Sequence, residues 1–269
     1  MTGAQGHNIF LQFDRLAKRI LRAARDRTPL AGFQARRRLK KEFQLFKSLD
    51  SQGRFTVEWK DRYPCLHDKT AATSFDRHYV FHTAWAARIL AKTRPAEHVD
   101  IGSLLYFTAL VSAFVPVRFY DYRPPLLKLS NLQNGAANLL ALPFSDASIA
   151  SLSCMHVVEH IGLGRYGDPI DPDGDLKAIH ELKRVLAVGG DLLFVVPVGS
   201  PKIMFNAHRI YSYDQILDYF NDLHLQEFSL IEDSGSTSGL LINPEKRKVD
   251  QQTYGCGCFW FKKGASPCR

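Results

Sequence analysis

A chain of 269 residues with 45% hydrophobic and 23% charged residues is long enough to bury a sizeable core, and its composition excludes a disordered or fibrous polypeptide. The net charge of +8 lies in residues 1–50, which hold twelve basic and four acidic residues, so the remainder is neutral and a basic nucleic-acid-binding domain is disfavoured. The longest nearly apolar run, Leu104 to Val117, is too short for a bilayer span, and no apolar run suited to a signal peptide follows the start. Five cysteines (Cys65, Cys154, Cys256, Cys258, Cys268) show no zinc-type spacing; the expectation is a reduced, cytoplasmic protein.

In chain order, residues 1–55 read as a basic, amphipathic helical extension. Ile9, Phe10, Phe13, Leu16, Ala17, Ile20, Leu21 and Ala24 recur at helical spacing, Thr28 to Gly32 breaks the pattern, and a second basic helix carries Phe33, Leu39, Phe43 and Phe46. Two readings stay open: a helix packed on the main domain with a solvated basic face, or docking on an anionic membrane surface or a partner. Residues 56–95 read as a helical lead-in or lid.

From residue 96 to 263 strands alternate with helices. AEHVDIG is a first strand and 104–114 a helix; VRFYDY is a second strand, and ANLLALPF carries a short third. SIASLSCMHVVEH gives a fourth strand, followed by the helix DGDLKAIHELKRVLAVGG, with Asp173 at its start and a stop at Gly189–Gly190. DLLFVVPVG is a fifth strand, SYDQILDYF a helix with Ser212 as cap, and LQEFSLIED and CGCFWFKK are the last strands. This alternation predicts an α/β fold, a doubly wound and mostly parallel sheet with an antiparallel last strand. Residues 264–269 form a tail. Cys256 and Cys258 flank a glycine and share one sheet face, where they read as small apolar residues.

The pentad His156-Val-Val-Glu159-His160 spells H-x-x-E-H, a signature of one class of zinc peptidase. That chemistry needs both histidines on one helix face, whereas Ile149 to Val158 reads as a buried strand and 161–174 is rich in glycine and proline, so the peptidase reading is set aside. Asp171, Asp173 and Asp175 resemble the start of a calcium loop, but the glycine falls at the fourth position and Leu182 stands at the twelfth, so no metal is assigned.

Asp100-Ile-Gly102, the acid Asp121 closing the second strand, Leu142-Pro-Phe-Ser-Asp146, the pentad at 156–160 and Leu182-Lys-Arg-Val-Leu-Ala-Val-Gly-Gly190 resemble the class I S-adenosylmethionine-dependent methyltransferases. EHIGLGRYGDPIDPDGD and FNAHRIY resemble, more narrowly, the DUF268 group of that superfamily, associated with surface-glycan gene clusters. The resemblance implies a Rossmann-like fold with S-adenosylmethionine bound at the carboxyl ends of the strands by Asp100, Gly102, Ser103, Asp121, Tyr122, Asn138, Leu139 and His156. It departs from the usual Asp-x-Gly-x-Gly-x-Gly loop in placing Leu104 and Tyr106 at the second and third glycines.

The implied activity is O-methylation of a saccharide in surface-polysaccharide biosynthesis. His160 is expected as general base, Glu159 as the group orienting it, and His208 as a further catalytic candidate. Arg165, Tyr166, Asp168, Asn206 and Arg209 are expected to contact the acceptor, a saccharide or lipid-linked glycan. The arm is expected to meet a membrane surface or a glycan synthase, and a peripheral location at the inner face of the membrane follows. The alternative is a non-catalytic module that keeps the fold and binds a glycan or a membrane-associated synthase.

Overall fold

The computed structural model describes residues 29–66, 68–233 and 239–264. The first amphipathic helix expected at 9–24 and most of the tail lie outside them. The chain divides into two compact units, 1–74 and 75–269.

In the first unit, helix α1 spans Pro29–Leu49. Thr28 to Gly32 is expected to break the helical pattern, yet Pro29–Gly32 lie within α1. Arg36, Arg37, Arg38, Lys40 and Lys41 are exposed, as are Phe33 and Phe46. Phe43 meets Trp59 edge-on at 5.1 Å between ring centres.

The second unit opens with α2 (Arg77–Thr93), whose first turn is capped by the Asp76 carboxylate accepting from the Tyr79 N–H at 3.3 Å. Next come β1 (His98–Ile101), α3 (Leu105–Val111), β2 (Val117–Asp121), β3 (Leu132–Ala136) and β4 (Ile149–Met155). The chain continues through α4 (Gly174–Val185), β5 (Leu186–Val198), β6 (Lys202–Met204), β7 (His208–Ile210) and α5 (Tyr213–Tyr219). It ends with β8 (His224–Ile231), β9 (Leu241–Ile242), α6 (Lys246–Asp250) and β10 (Gly255–Lys262).

Eight strands form one sheet in the order β3-β2-β1-β4-β5-β10-β8-β9. The first five run parallel, and β10 is antiparallel to both β5 and β8. The expected architecture is therefore the observed one. Alternation along β5 explains why the sheet is covered on both sides. Leu192, Phe194, Val196 and Val198 join the core with α4 and α5, while Leu193 and Val195 face Trp85, Ile89 and Leu90 of α2 and Phe107 and Val111 of α3.

The third strand lies upstream of its expected place. LQNGA pairs with β2 at the sheet edge, and Gly135 leaves room for the Tyr120 ring, which a Cβ would meet at 3.1 Å. Leu139 and Leu142, the apolar residues that suggested a strand, are core anchors of the turn that follows. The expected helix at 104–114 is also shorter. The β6–β7 hairpin lacks any apolar run that would announce it.

Candidate functional site

The carboxyl ends of β1, β2 and β4 form one rim of the sheet, and the start of antiparallel β10 arrives at the same rim. At the end of β1 the chain turns at Gly102, φ +68°, and enters α3 with Leu104 as the residue before the helix. The second expected glycine therefore falls at the helix cap and the third inside its first turn, where glycine is not needed. Tyr106 is 68% exposed, and Leu104 packs against the core on the α2–α3 face.

Asp100 is fully buried rather than lining the rim. Its Oδ1 accepts the Ser103 N–H at 3.0 Å, its Oδ2 accepts from the Ser153 hydroxyl, and Ser103 Oγ accepts the Met155 N–H at 3.1 Å. Asp100 and Ser103 thus pin the turn. Ser153 Oγ lies 2.9 Å from Nε2 of His98, whose Nδ1 is 2.8 Å from Ser151 Oγ, completing a buried polar chain between β1 and β4. Burial raises the Asp100 carboxyl to about 6, against its hydrogen bonds, and lowers His98 to about 3.

Asp121 ends β2, half-buried. Its Oδ1 accepts the Arg123 N–H at 2.7 Å, and its Oδ2 would lie 3.9 Å from a Cβ on Gly102. The two groups thus share one corner of the rim. Tyr122 and Asn138 are exposed, and Asn138 Oδ1 accepts the Leu140 N–H at 3.0 Å. The Leu139 side chain belongs to the core.

After β4 the pentad forms a single 3-10 turn, Val158–His160, and not a helix. His156 has a left-handed backbone, φ 57°, unusual for a residue with a Cβ. Its Nδ1 lies 2.9 Å from Oε1 of Glu159, which is 3.6 Å from His160 Nε2. Glu159 therefore pairs with His156, while His160 is oriented by its Nδ1–H donated to the Ala207 carbonyl at 2.6 Å. Burial opposes charge on Glu159, but His160 and His156 outweigh it and hold the carboxyl below its usual range. Burial lowers His160, which is therefore neutral at pH 7.

The 161–174 loop is tied from within. Gly162, Gly164 and Gly167 take positive φ, and a Cβ on Gly162 would collide with the Asp171 carbonyl. Asp168 accepts the N–H groups of Gly162, Gly164 and Tyr166. Arg209, 5% exposed, donates to the carbonyls of Ile161 at 2.6 Å and Pro172 at 3.0 Å, and its Nε lies 3.5 Å from Asp175. Asn206 donates to Leu163 at 3.4 Å. Of the residues expected to touch an acceptor, Arg209 and Asp168 are committed to the loop. Arg165 donates to Ala207 at 3.0 Å, and Tyr166 lies between the guanidinium groups of Arg123 and Arg165. His208 sits between His160 and Tyr254, ring centres 6.4 and 4.8 Å away.

The sequence reading missed the residues facing His156. Its ring is flanked by His78, Tyr79 and His82 of α2, and its Nε2 lies 3.4 Å from Cys256 Sγ. The available signal was the four-residue spacing of His78 and His82, which places both on one helix face.

Strand order, the antiparallel β10, the left-handed glycine after β1 and the acid closing β2 define the class I methyltransferase fold. Among solved structures, the chain is similar to the 1,6-didemethyltoxoflavin-N1-methyltransferase of Burkholderia thailandensis with bound 1,6-didemethyltoxoflavin and S-adenosylhomocysteine. Identity is 13% over 68% of this chain and 79% of that one, with a TM-score of 0.50. The N-methyltransferase NodS of Bradyrhizobium japonicum WM9, in complex with S-adenosyl-L-homocysteine, is 16% identical over 68% of this chain and 86% of that one, with a TM-score of 0.46. No curated protein matches the chain. Residues 144–220 match the family model described as Caenorhabditis protein of unknown function, DUF268. The chain is thus built on a class I methyltransferase fold, and the segment 144–220 is similar to the DUF268 family model. No described helix is long and apolar enough to cross a membrane.

Proposed function

We propose that the protein is an S-adenosylmethionine-dependent methyltransferase acting on a hydroxyl oxygen of a saccharide. The observation that carries the reading is the corner shared by Gly102 and Asp121. A bare, left-handed backbone turn stands beside a carboxylate whose Oδ2 makes no hydrogen bond among the described residues. Oδ2 suits a ribose hydroxyl, Gly102 allows close backbone approach, and the exposed Asn138 amide suits an adenine edge. Bound there, S-adenosylmethionine supplies an electrophilic methyl carbon.

The chain's own residues would position and deprotonate the acceptor. His160, neutral and held through Nδ1, keeps a lone pair on Nε2 that can take the hydroxyl proton as the new carbon–oxygen bond forms. Glu159, negative and 3.6 Å away, stabilises the imidazolium that results. His208, Tyr254, Tyr166 and Arg165 provide aromatic faces and donors of the kind that line saccharide sites. Support for a glycan acceptor comes from the DUF268 likeness, and the basic exposed face of α1 supports docking at an anionic membrane where lipid-linked glycans are assembled.

The test is binding of S-adenosylhomocysteine by calorimetry and melting. At a hundredfold excess over a micromolar Kd, stability should rise by about 2.7 kcal/mol. No shift at millimolar ligand would instead identify a non-catalytic module on the same fold.

A further inference from the structure

The cluster around His156 is not required by methyl transfer, and it gathers three elements at one point. His78 comes from the first turn of α2, His156 from the residue after β4, and Cys256 from the start of β10. One ligand atom from each, a ring nitrogen or the sulfur, lies within 4.8 Å of the other two. Three further observations bear on what such a group can hold.

The first is distance. In a tetrahedral zinc site, metal–sulfur and metal–nitrogen bonds of about 2.3 and 2.0–2.1 Å place the two donor atoms roughly 3.5 Å apart. Cys256 Sγ and His156 Nε2 are 3.4 Å apart. The second is orientation. His156 Nδ1 faces the Glu159 carboxylate at 2.9 Å, and this contact turns Nε2 towards the sulfur. A carboxylate behind a histidine is the usual support of a metal-bound imidazole. His156 makes this contact from a left-handed backbone, φ 57°. The third is polar accounting. His82, fully buried, donates Nδ1–H to the His78 carbonyl at 2.7 Å, which leaves an Nε2 lone pair with no hydrogen-bond partner among the described residues. Its ring centre is 5.1 Å from that of His156. A buried acceptor left unsatisfied beside the cluster is costly unless a further group, such as a metal-bound water, donates to it.

We propose that His78, His156 and Cys256 bind one divalent transition-metal ion, zinc first among them, with a fourth position open to water. The mixed nitrogen and sulfur donors exclude magnesium and calcium, which take oxygen ligands. The ion joins α2 to the rim of the sheet at the ends of β4 and β10, so binding it stabilises the fold.

Metal binding is measured on the full chain without any methyl donor, so its outcome is separate from the methyltransferase reading. The protein is stripped with chelator, titrated with Co²⁺ and Zn²⁺, and followed by absorption and melting. One equivalent of Co²⁺ should produce a near-ultraviolet thiolate-to-cobalt band, displaced by Zn²⁺, and Zn²⁺ should raise the melting temperature. Cys256→Ser should lose the band, whereas Cys65→Ser, at an exposed cysteine, should keep it. His78→Ala, at a half-buried position, decides the matter if Cys256→Ser does not fold; it should abolish stoichiometric binding. Glu159→Gln should weaken Zn²⁺ binding by roughly 10–100-fold. Absence of the band in the wild type, or a band that survives both Cys256→Ser and His78→Ala, overturns the assignment.

Discussion

Gly102 and Asp121 stand together at the ends of two adjacent parallel strands, so close that a Cβ on the glycine would lie 3.9 Å from Asp121 Oδ2. A change at either residue therefore reaches the same corner by a different physical route. Asp121→Ala removes a half-buried carboxylate whose one hydrogen bond among the described residues is to the Arg123 N–H, so stability should change by less than about 1 kcal/mol while the S-adenosylhomocysteine melting shift disappears. Gly102→Ala puts a Cβ on a left-handed residue 3.2 Å from Val157, and should cost about 1–3 kcal/mol as well as the shift. Urea melts with and without ligand distinguish the two; an unchanged shift in Asp121→Ala removes the ribose assignment.

The buried chain from His98 to Asp100 predicts opposing pH effects. His98 has a folded pKa of about 3 against 6.5, so as pH falls below 6.5 the unfolded chain takes up a proton that the folded one refuses, and stability drops. Asp100 has a folded value of about 6 against 3.8, so as pH falls through 6 the folded chain takes up the proton first, and stability rises. Each slope is at most about 1.4 kcal/mol per pH unit. Between pH 6 and 4 the two contributions oppose each other. Relative to wild type, His98→Asn should gain stability on acidification across that window and Asp100→Asn should lose it. Denaturant titrations at several pH values that gave both variants the same sign would refute this coupling.

Arg209→Met should be a stability variant before it is an activity variant. It strips donors from the Ile161 and Pro172 carbonyls and leaves the buried Asp175 carboxylate, among the described residues, with the Tyr211 hydroxyl, which donates to it at 2.9 Å. A loss of about 3–5 kcal/mol is expected, with new proteolytic cleavage within 161–174. Full stability with weakened acceptor binding would instead make Arg209 an acceptor contact.

Reversing Arg36, Arg37 and Arg38 to Glu tests the arm. These exposed residues of α1 should each contribute roughly 1 kcal/mol to attraction by an anionic surface. The variant should fall out of co-sedimentation with phosphatidylserine vesicles at low salt. Equal sedimentation of variant and wild type would dismiss membrane docking.

What could be read from the residues alone follows the range of the interactions. β5 declares itself because LLFVVPV is buried on both faces and so is continuously apolar, and the pentad at 156–160 is local in sequence. β3 is an edge strand with Gln133, Asn134 and Gly135 in its middle, so its composition gives no strand signal. Asp100 looked like a ligand contact because it precedes Gly102, yet its side chain turns inward to Ser153. His78, His156 and Cys256 come together only once α2, β4 and β10 are folded, and a pair of histidines four apart is too common in helices to signal this by itself.

The position of β10 has a consequence for biogenesis. It is inserted between β5 and β8, both made earlier, and each has an open edge until residues 255–262 leave the ribosome. The nascent chain must therefore hold two apolar strand edges unpaired from the time β8 is made until β10 follows. Chaperone demand should consequently peak between the emergence of β8 and that of β10, and fall abruptly when this insertion closes the sheet.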